Sequence, residues 1–264
     1  MPFDDSFQKI GLIIIDSLGP NEFQSGEKLF EDLKLKKYLN NSFLVYFKKI
    51  SNLEALDEAL NWIKNQIHLK LIYPLIHFEA HGNDNGMQVN KYQSIEWEDV
   101  LCRLRELNTL LINNLIVSMS MCKGASLIYK IDYYDRAPFK VLIGPDFSLN
   151  AGELYEGFYS FYDSFFFGYN FNKAFEIMSM NIEKMNGDLV MITSSTCFDT
   201  YTAFNENSQD FEDILEPYRL DTIKLYPEFG ILPIKTQQDY VWSKLEIVLE
   251  NLKGQKSYFL MLDL

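Results

Sequence analysis

Three histidines and three cysteines are the scarcest reactive side chains in this chain of 264 residues. Two of them stand where chemistry is possible. His81 closes the segment His77-Phe-Glu79-Ala-His81-Gly82, just past the apolar run Lys70 to Phe78. Cys122 closes the segment Ser118-Met-Ser120-Met-Cys122, just past a second apolar run from Asn114 to Met119. A cysteine becomes a nucleophile when a neighbouring base takes its proton, and a histidine is the usual base. If the two runs are adjacent parallel strands, both side chains emerge at one edge of one sheet. Gly82 lets the backbone approach a substrate carbonyl closely, and its N–H together with that of Cys122 would make an oxyanion hole.

The remaining candidates are weaker. In a strand, His77, Glu79 and His81 would share a face, which invites a metal reading. Their spacing is not the helical His-Glu-x-x-His pattern, and no second ligand cluster is evident, so no metal and no cofactor are expected. His68 lies between charged neighbours and reads as a surface residue. Cys102, beside Leu101 and Leu104, reads as core, and Cys197 reads as an ordinary thiol. Lys123 follows Cys122 and is either a local positive charge or a solvated side chain.

These residues need elements to hold them. Ile10 to Ile15 is a continuous β-branched run, the mark of a strand buried on both faces. Ser42 to Phe47 is a second strand, Lys70 to Phe78 a third, Asn114 to Met119 a fourth, and Val141 to Gly144 begins a fifth. Helical spacing appears over about 22–38. It recurs over Asn52 to Gln66 with Asn52 as N-cap, and over Ile95 to Leu107 with Ser94 as N-cap. This βαβα order predicts an α/β fold with a mainly parallel sheet and helices on both faces. In such sheets functional groups gather at the carboxyl ends of the strands.

The second half reads differently. Ala151 to Phe167 is dense in Phe and Tyr and predicts a core helix. Asn172 to Met185 is another helix, and Tyr240 to Leu252 a third. Residues 199–216 carry six acids and no base and read as a solvated loop or loose helix. There is no repeat and no Pro/Gly/Ser linker, so one domain over 1–264 is expected, with a core at about 8–185 and an acidic extension at 186–264.

Composition narrows the partners. Hydrophobic residues make up 47% and the formal charge is −13. Residues 1–140 hold 16 Lys/Arg against 18 Asp/Glu, whereas residues 141–264 hold 8 against 19. That surface repels phosphate and argues against nucleic acid. The run Ile10 to Ile15 is far short of the ~20 apolar residues of a membrane span, and Met1 to Lys9 lacks the basic start of a signal peptide. The cysteines form no framework, so a reducing, cytoplasmic setting is expected.

The pattern resembles the caspase-like cysteine peptidases, which include caspases, metacaspases, gingipains, separases and the bacterial CHAT proteases. In that group an apolar strand ends in His-Gly, and about 40–50 residues later another ends in Cys-x-Gly. Here Ile76-His-Phe-Glu-Ala-His81-Gly82 precedes Leu115-Ile-Val-Ser-Met-Ser-Met-Cys122-Lys-Gly124, with Cys122 41 positions after His81. The later order, Val141 to Gly144, Phe158-Tyr159 and Gly168 to Phe175, is similar to the segment after the nucleophile in CHAT proteins. Two residues before the cysteine, caspases carry Gln and metacaspases Asp; Ser120 here is closer to the CHAT branch. The resemblance implies a three-layer α/β/α sandwich and a His81/Cys122 dyad. It further implies a substrate pocket near Ser120, Asp146, Phe147 and Ser148, with Glu79 or Asp146 lending acidity. It implies a protein or peptide substrate, such as a cognate effector in bacterial immunity or regulated cell death. A second reading is an inactive caspase-like module that binds a basic partner. A third is a metal-dependent hydrolase built on His77, Glu79 and His81.

Overall fold

The structure, a computed structural model, describes residues 6–166, 168, 170–183, 189–203, 219–220 and 222–264. The chain divides into two compact units, residues 1–132 with 136–194, and residues 133–135 with 195–264.

The first unit is a three-layer α/β/α sandwich. Its six-stranded sheet runs in the order β2-β1-β3-β6-β7-β8. The strands are β1 Lys9–Asp16, β2 Phe43–Lys49, β3 Ile72–Glu79, β6 Ile116–Ser120, β7 Val141–Gly144 and β8 Val190–Thr193. All pairs are parallel except β7 with β8. β3 is buried along its whole length and so is β6, as expected of central strands whose two faces both meet helices. Successive side chains point to opposite faces, and each face collects its own core. Leu12, Ile14, Leu75 and Ile116 pack with α1 (Ser25–Lys34), α4 (Ala151–Phe166) and α5 (Phe171–Glu183). Phe78, on the other face, lines one small buried space together with Leu56 and Leu60 of α2 (Leu53–His68) and Leu104 of α3 (Trp97–Leu110).

Several helix boundaries follow from local chemistry. Asn52 caps α2, its side-chain oxygen accepting the Ala55 N–H at 2.8 Å. The expected cap at Ser94 is corrected. Residues Gln93–Glu96 form β5, paired antiparallel with β4 (Gly86–Asn90), and α3 starts at Trp97 with no side-chain cap. Trp97 anchors this start: it is fully buried and its Nε1–H donates to the Asn83 carbonyl at 3.0 Å. Cys102 is also corrected. It is exposed, because the buried stripe of α3 runs through Val100, Leu101, Leu104, Leu107 and Asn108 and leaves residue 102 on the outer side. His68 is exposed at the end of α2, as the charged neighbourhood suggests.

The aromatic helix is core, as its composition implies. Phe158 and Phe161 of α4 are fully buried, and Phe161 meets Phe171 of α5 edge to face at 5.3 Å. Phe167 and residues 184–185 lie outside the described residues. So do 204–218, which hold most of the acidic stretch.

The second unit contains α6 (Ser194–Ala203) and α7 (Ile234–Phe259). Tyr133 stacks on Tyr201 at 4.3 Å, and Phe259 and Phe198 close the cluster. Cys197 is buried there, and that burial pushes its thiol up to about 12. Among the described residues, no helix is long and apolar enough to cross a membrane.

Candidate active site

β3 and β6 are parallel neighbours in a register that pairs His77 with Ser118 and Glu79 with Ser120. His81 and Cys122 each stand two residues past the last pair of this ladder, Glu79 with Ser120. The two loops pack tightly there. Gly82 faces the carbonyl oxygen of Cys122 and the side chain of Met121 so closely that a methyl group at Gly82 would overlap both. Glycine is required at this position by the close approach.

Two backbone donors stand here without a backbone partner among the described residues. Gly82 bridges Met87 in the antiparallel sense, with the flanking bonds Gln88 N–H to His81 O at 2.8 Å and Asn83 N–H to Gly86 O at 3.0 Å. Gly82 is therefore the non-hydrogen-bonded member of the pair, and its own N–H points away from the hairpin. After Cys122 the chain turns sharply. Lys123 adopts φ 58°, a left-handed conformation that costs a non-glycine residue ~1–2 kcal/mol. Its N–H donates to Phe147 O at 3.1 Å, and the Ala125 N–H donates to Pro145 O at 2.9 Å. Among the described residues, neither the Gly82 nor the Cys122 N–H is used in a backbone bond. Lys123 Nζ stands 3.7 Å from Asp84, joining the two loops at the surface.

The loop after β7 thus wraps the cysteine. Asp146 and Phe147 are half-buried and Ser148 is exposed beside it, while Cys122 Sγ is 3.6 Å from the Leu149 carbonyl. Cys122 itself is half-buried.

His81 is held from the other side. Its Nε2 lies 2.8 Å from Glu22 Oε1, and its side chain is 56% exposed. The other Glu22 oxygen accepts the Gly19 N–H. The His81 contact first, and the Gly19 amide second, hold the Glu22 carboxyl below its ordinary value. An ionised carboxylate only accepts, so the His81 Nε2–H donates to Glu22 and the Nδ1 edge of the ring is turned away from that carboxylate. Sequence reasoning missed Glu22, which is 59 residues from its partner. Replacing it with glutamine removes the charge that holds the ring in this orientation. If a reaction runs through His81, Glu22→Gln should slow it at least about tenfold while leaving the melting temperature in place. Equal rates for parent and variant would remove Glu22 from the machinery.

Beneath His81 and Cys122 lies a row of polar strand ends. Register aligns Lys49, Asp16, Glu79 and Ser120 across β2, β1, β3 and β6. Lys49 Nζ meets Asp16 Oδ1 at 2.9 Å, and Leu18 N–H donates to the same oxygen at 2.7 Å. Glu79 is 3% exposed, bonded by Ser25 Oγ at 2.8 Å and set 3.1 Å from His77 Nε2. His77 Nδ1 lies 3.1 Å from the Tyr162 hydroxyl, which donates to Ser118 Oγ at 2.9 Å. Burial pushes the Tyr162 phenol well above its ordinary value.

This network corrects two sequence expectations. Glu79 is committed to Ser25 and His77 and does not open into a pocket. His77, Glu79 and His81 do not converge, since His81 is past the strand and tied to Glu22. Among the described residues, no group of three such side chains could hold a metal ion. Ser120 is buried, and its Oγ finds no hydrogen-bond partner among the described residues. Asp16 Oδ2 is in the same condition, pressed against Gly26.

Burial raises the Asp16 carboxyl above its ordinary value, against the opposing pull of Lys49. A raised acid binds its proton more tightly in the folded chain than in the unfolded one. Its stabilising share is complete below the ordinary value of 3.8 and is lost as pH rises through the raised value. Asp16→Asn abolishes that dependence. Relative to the parent, the variant's melting temperature should rise as the pH climbs above the ordinary carboxylate value of 3.8. A constant difference, or a change of the opposite sign, would contradict the assignment.

Compared with known protein families and with curated proteins, the chain matches no family model and no curated protein.

Proposed function

We propose that this chain is a cysteine endopeptidase of the caspase-like type, with His81 and Cys122 as its dyad. One observation carries the reading. His81 and Cys122 follow adjacent parallel strands at matched register, beside two backbone N–H groups with no backbone partner among the described residues. The resemblance of the two strand-end motifs supports the same assignment.

The chemistry follows from the positions. His81 Nδ1 takes the thiol proton as Cys122 Sγ attacks the scissile carbonyl. The sulfur turns from the Leu149 carbonyl toward the substrate. Negative charge gathers on the carbonyl oxygen, where the Gly82 and Cys122 N–H groups receive it. His81, now protonated, gives its proton to the departing amine as the C–N bond breaks. A thioester remains on Cys122, and water, deprotonated by His81, releases the acid and restores the thiol. Glu22 holds the ring and stabilises the imidazolium that forms between the two steps. Asp146, Phe147 and Ser148 lie where the acyl side of the substrate would rest, and Ser120 lies beneath it.

The test is the capture of new amino termini from an unfolded protein mixture incubated with the full chain. Termini that disappear in Cys122→Ala support the reading. A pattern identical for parent and variant contradicts it, and tight capture of a basic protein without cleavage would favour a binding module.

A further inference from the structure

The endopeptidase reading leaves one large feature unused. A cleft of about 990 Å³ opens beside His81. Its lining comes from the loop after β1 (Ser17 to Glu22), the exit of β2 (Lys49 to Ser51) and the β4–β5 hairpin (Gln88 to Gln93). Cys122 and the loop after β7 contribute nothing to it. Because β3 sits between β1 and β6, His81 stands between this cleft and the nucleophile.

We propose that the cleft is the subsite for the part of the peptide substrate that leaves, the residues on the carboxyl side of the scissile bond. This rests on the endopeptidase reading. Cys122 keeps the acyl half, so that half lies over β6 and β7. The leaving nitrogen must face His81 to receive its proton, so the chain beyond that nitrogen runs past His81 toward β1. The space on that side is this cleft.

The cleft is built before any ligand arrives. Ser17 Oγ donates to the Gln88 carbonyl at 2.7 Å, and Asn90 Nδ2 donates to the Ser51 carbonyl at 2.7 Å. Gln93 Oε1 accepts the Leu53 N–H at 3.2 Å, so the hairpin is stitched to both neighbouring strand exits. Leu18, Ile50 and Val89 are buried and make an apolar floor. The volume exceeds what one side chain needs and reaches the upper end of the ~300–1,000 Å³ range of ligand sites.

Charge sets the chemistry at the mouth. Lys49 is committed to Asp16, and Glu22 to His81. Lys91 forms no ion pair among the described residues and lies 5.6 Å from the ring of Tyr92, itself 90% exposed. The occupant is therefore an extended peptide with apolar side chains next to the cut and a carboxylate further along, where Lys91 meets it.

The experiment uses the full chain and a pool of peptides made by digesting an unrelated proteome, with both new ends of each cut identified by mass spectrometry. The expected result is enrichment after the cut, apolar residues first and Asp or Glu beyond them. Lys91→Glu should reverse the acid-to-base ratio beyond the cut by about tenfold, and the preference before the cut should stay as it was. Cuts with a preference before the bond and none after it would overturn the cleft assignment while leaving the endopeptidase standing. An unchanged preference in Lys91→Glu would overturn the placement of the carboxylate and with it this orientation of the substrate. An absence of cuts that depend on Cys122 would overturn both readings together.

Discussion

On the proposed dyad, Cys122→Ala should lose cleavage by at least about a thousandfold, and His81→Ala nearly as much. In the proposed mechanism the two residues act as one unit, since the thiol is activated only through the ring and the ring has no substrate without the sulfur. The double variant should therefore be no slower than Cys122→Ala alone, a failure of additivity that independent contributions would not give. Both changes leave the fold intact. Cys122 is half-buried in a turn held by backbone bonds, and His81 is exposed. Circular dichroism and melting temperature should match the parent. Cleavage that survives in Cys122→Ala would contradict the dyad, as would a double variant a thousandfold slower than either single one.

Phe158→Ala should cost about 3–5 kcal/mol, the range for truncating a fully buried aromatic ring. Phe158 is 0% exposed and stands in the core between α4 and the sheet. Its ring meets His77 edge to face at 4.8 Å, and Tyr162 stacks alongside at 6.3 Å. Removing it opens a void against the His77–Tyr162–Ser118 network, whose buried polar atoms then lose their packing. The melting temperature should fall by about 10 °C for a unit of this size. Denaturant unfolding gives the free energy directly, and a loss under about 1 kcal/mol would show that the aromatic helix is not the core of this face. Tyr162→Phe is the milder companion. It keeps the ring, removes the hydroxyl between His77 and Ser118, and should cost about 1–2 kcal/mol.

What the sequence reveals and what it hides have separate physical causes. β1, β3 and β6 are buried on both faces, so their signal is a continuous apolar run that few other structures produce. The level placement of His81 and Cys122 is legible for the same reason, because each stands two residues beyond the last residue of a strand. β4, β5 and β8 are short, and their burial is partial or alternating, so no run forms. The acids Glu98 and Asp99 suit an early helix turn wherever the start lies, which made Ser94 a plausible cap although Trp97 begins the helix. Cys102 misled because one position separates the buried stripe of α3 from its outer side. Glu22 is the clearest limit. Nothing local marks it, and only the tertiary path of the loop after β1 brings it to His81. The Lys49–Asp16–Glu79–Ser120 row needs the strand order as well as the strands, because each member alone is just a polar residue at the end of an apolar run.

The most direct test of the dyad is the rate at which each cysteine is alkylated by iodoacetamide at neutral pH, resolved by mass spectrometry in the parent and in His81→Ala. Cys197, buried with its thiol pushed up to about 12, serves as the unreactive reference, and exposed Cys102 as the ordinary one. If His81 serves Cys122 as its base, Cys122 reacts faster than Cys102 in the parent and falls to or below it in His81→Ala. A Cys122 rate that is no faster than Cys102, and that does not change when His81 is removed, would contradict the account at its centre.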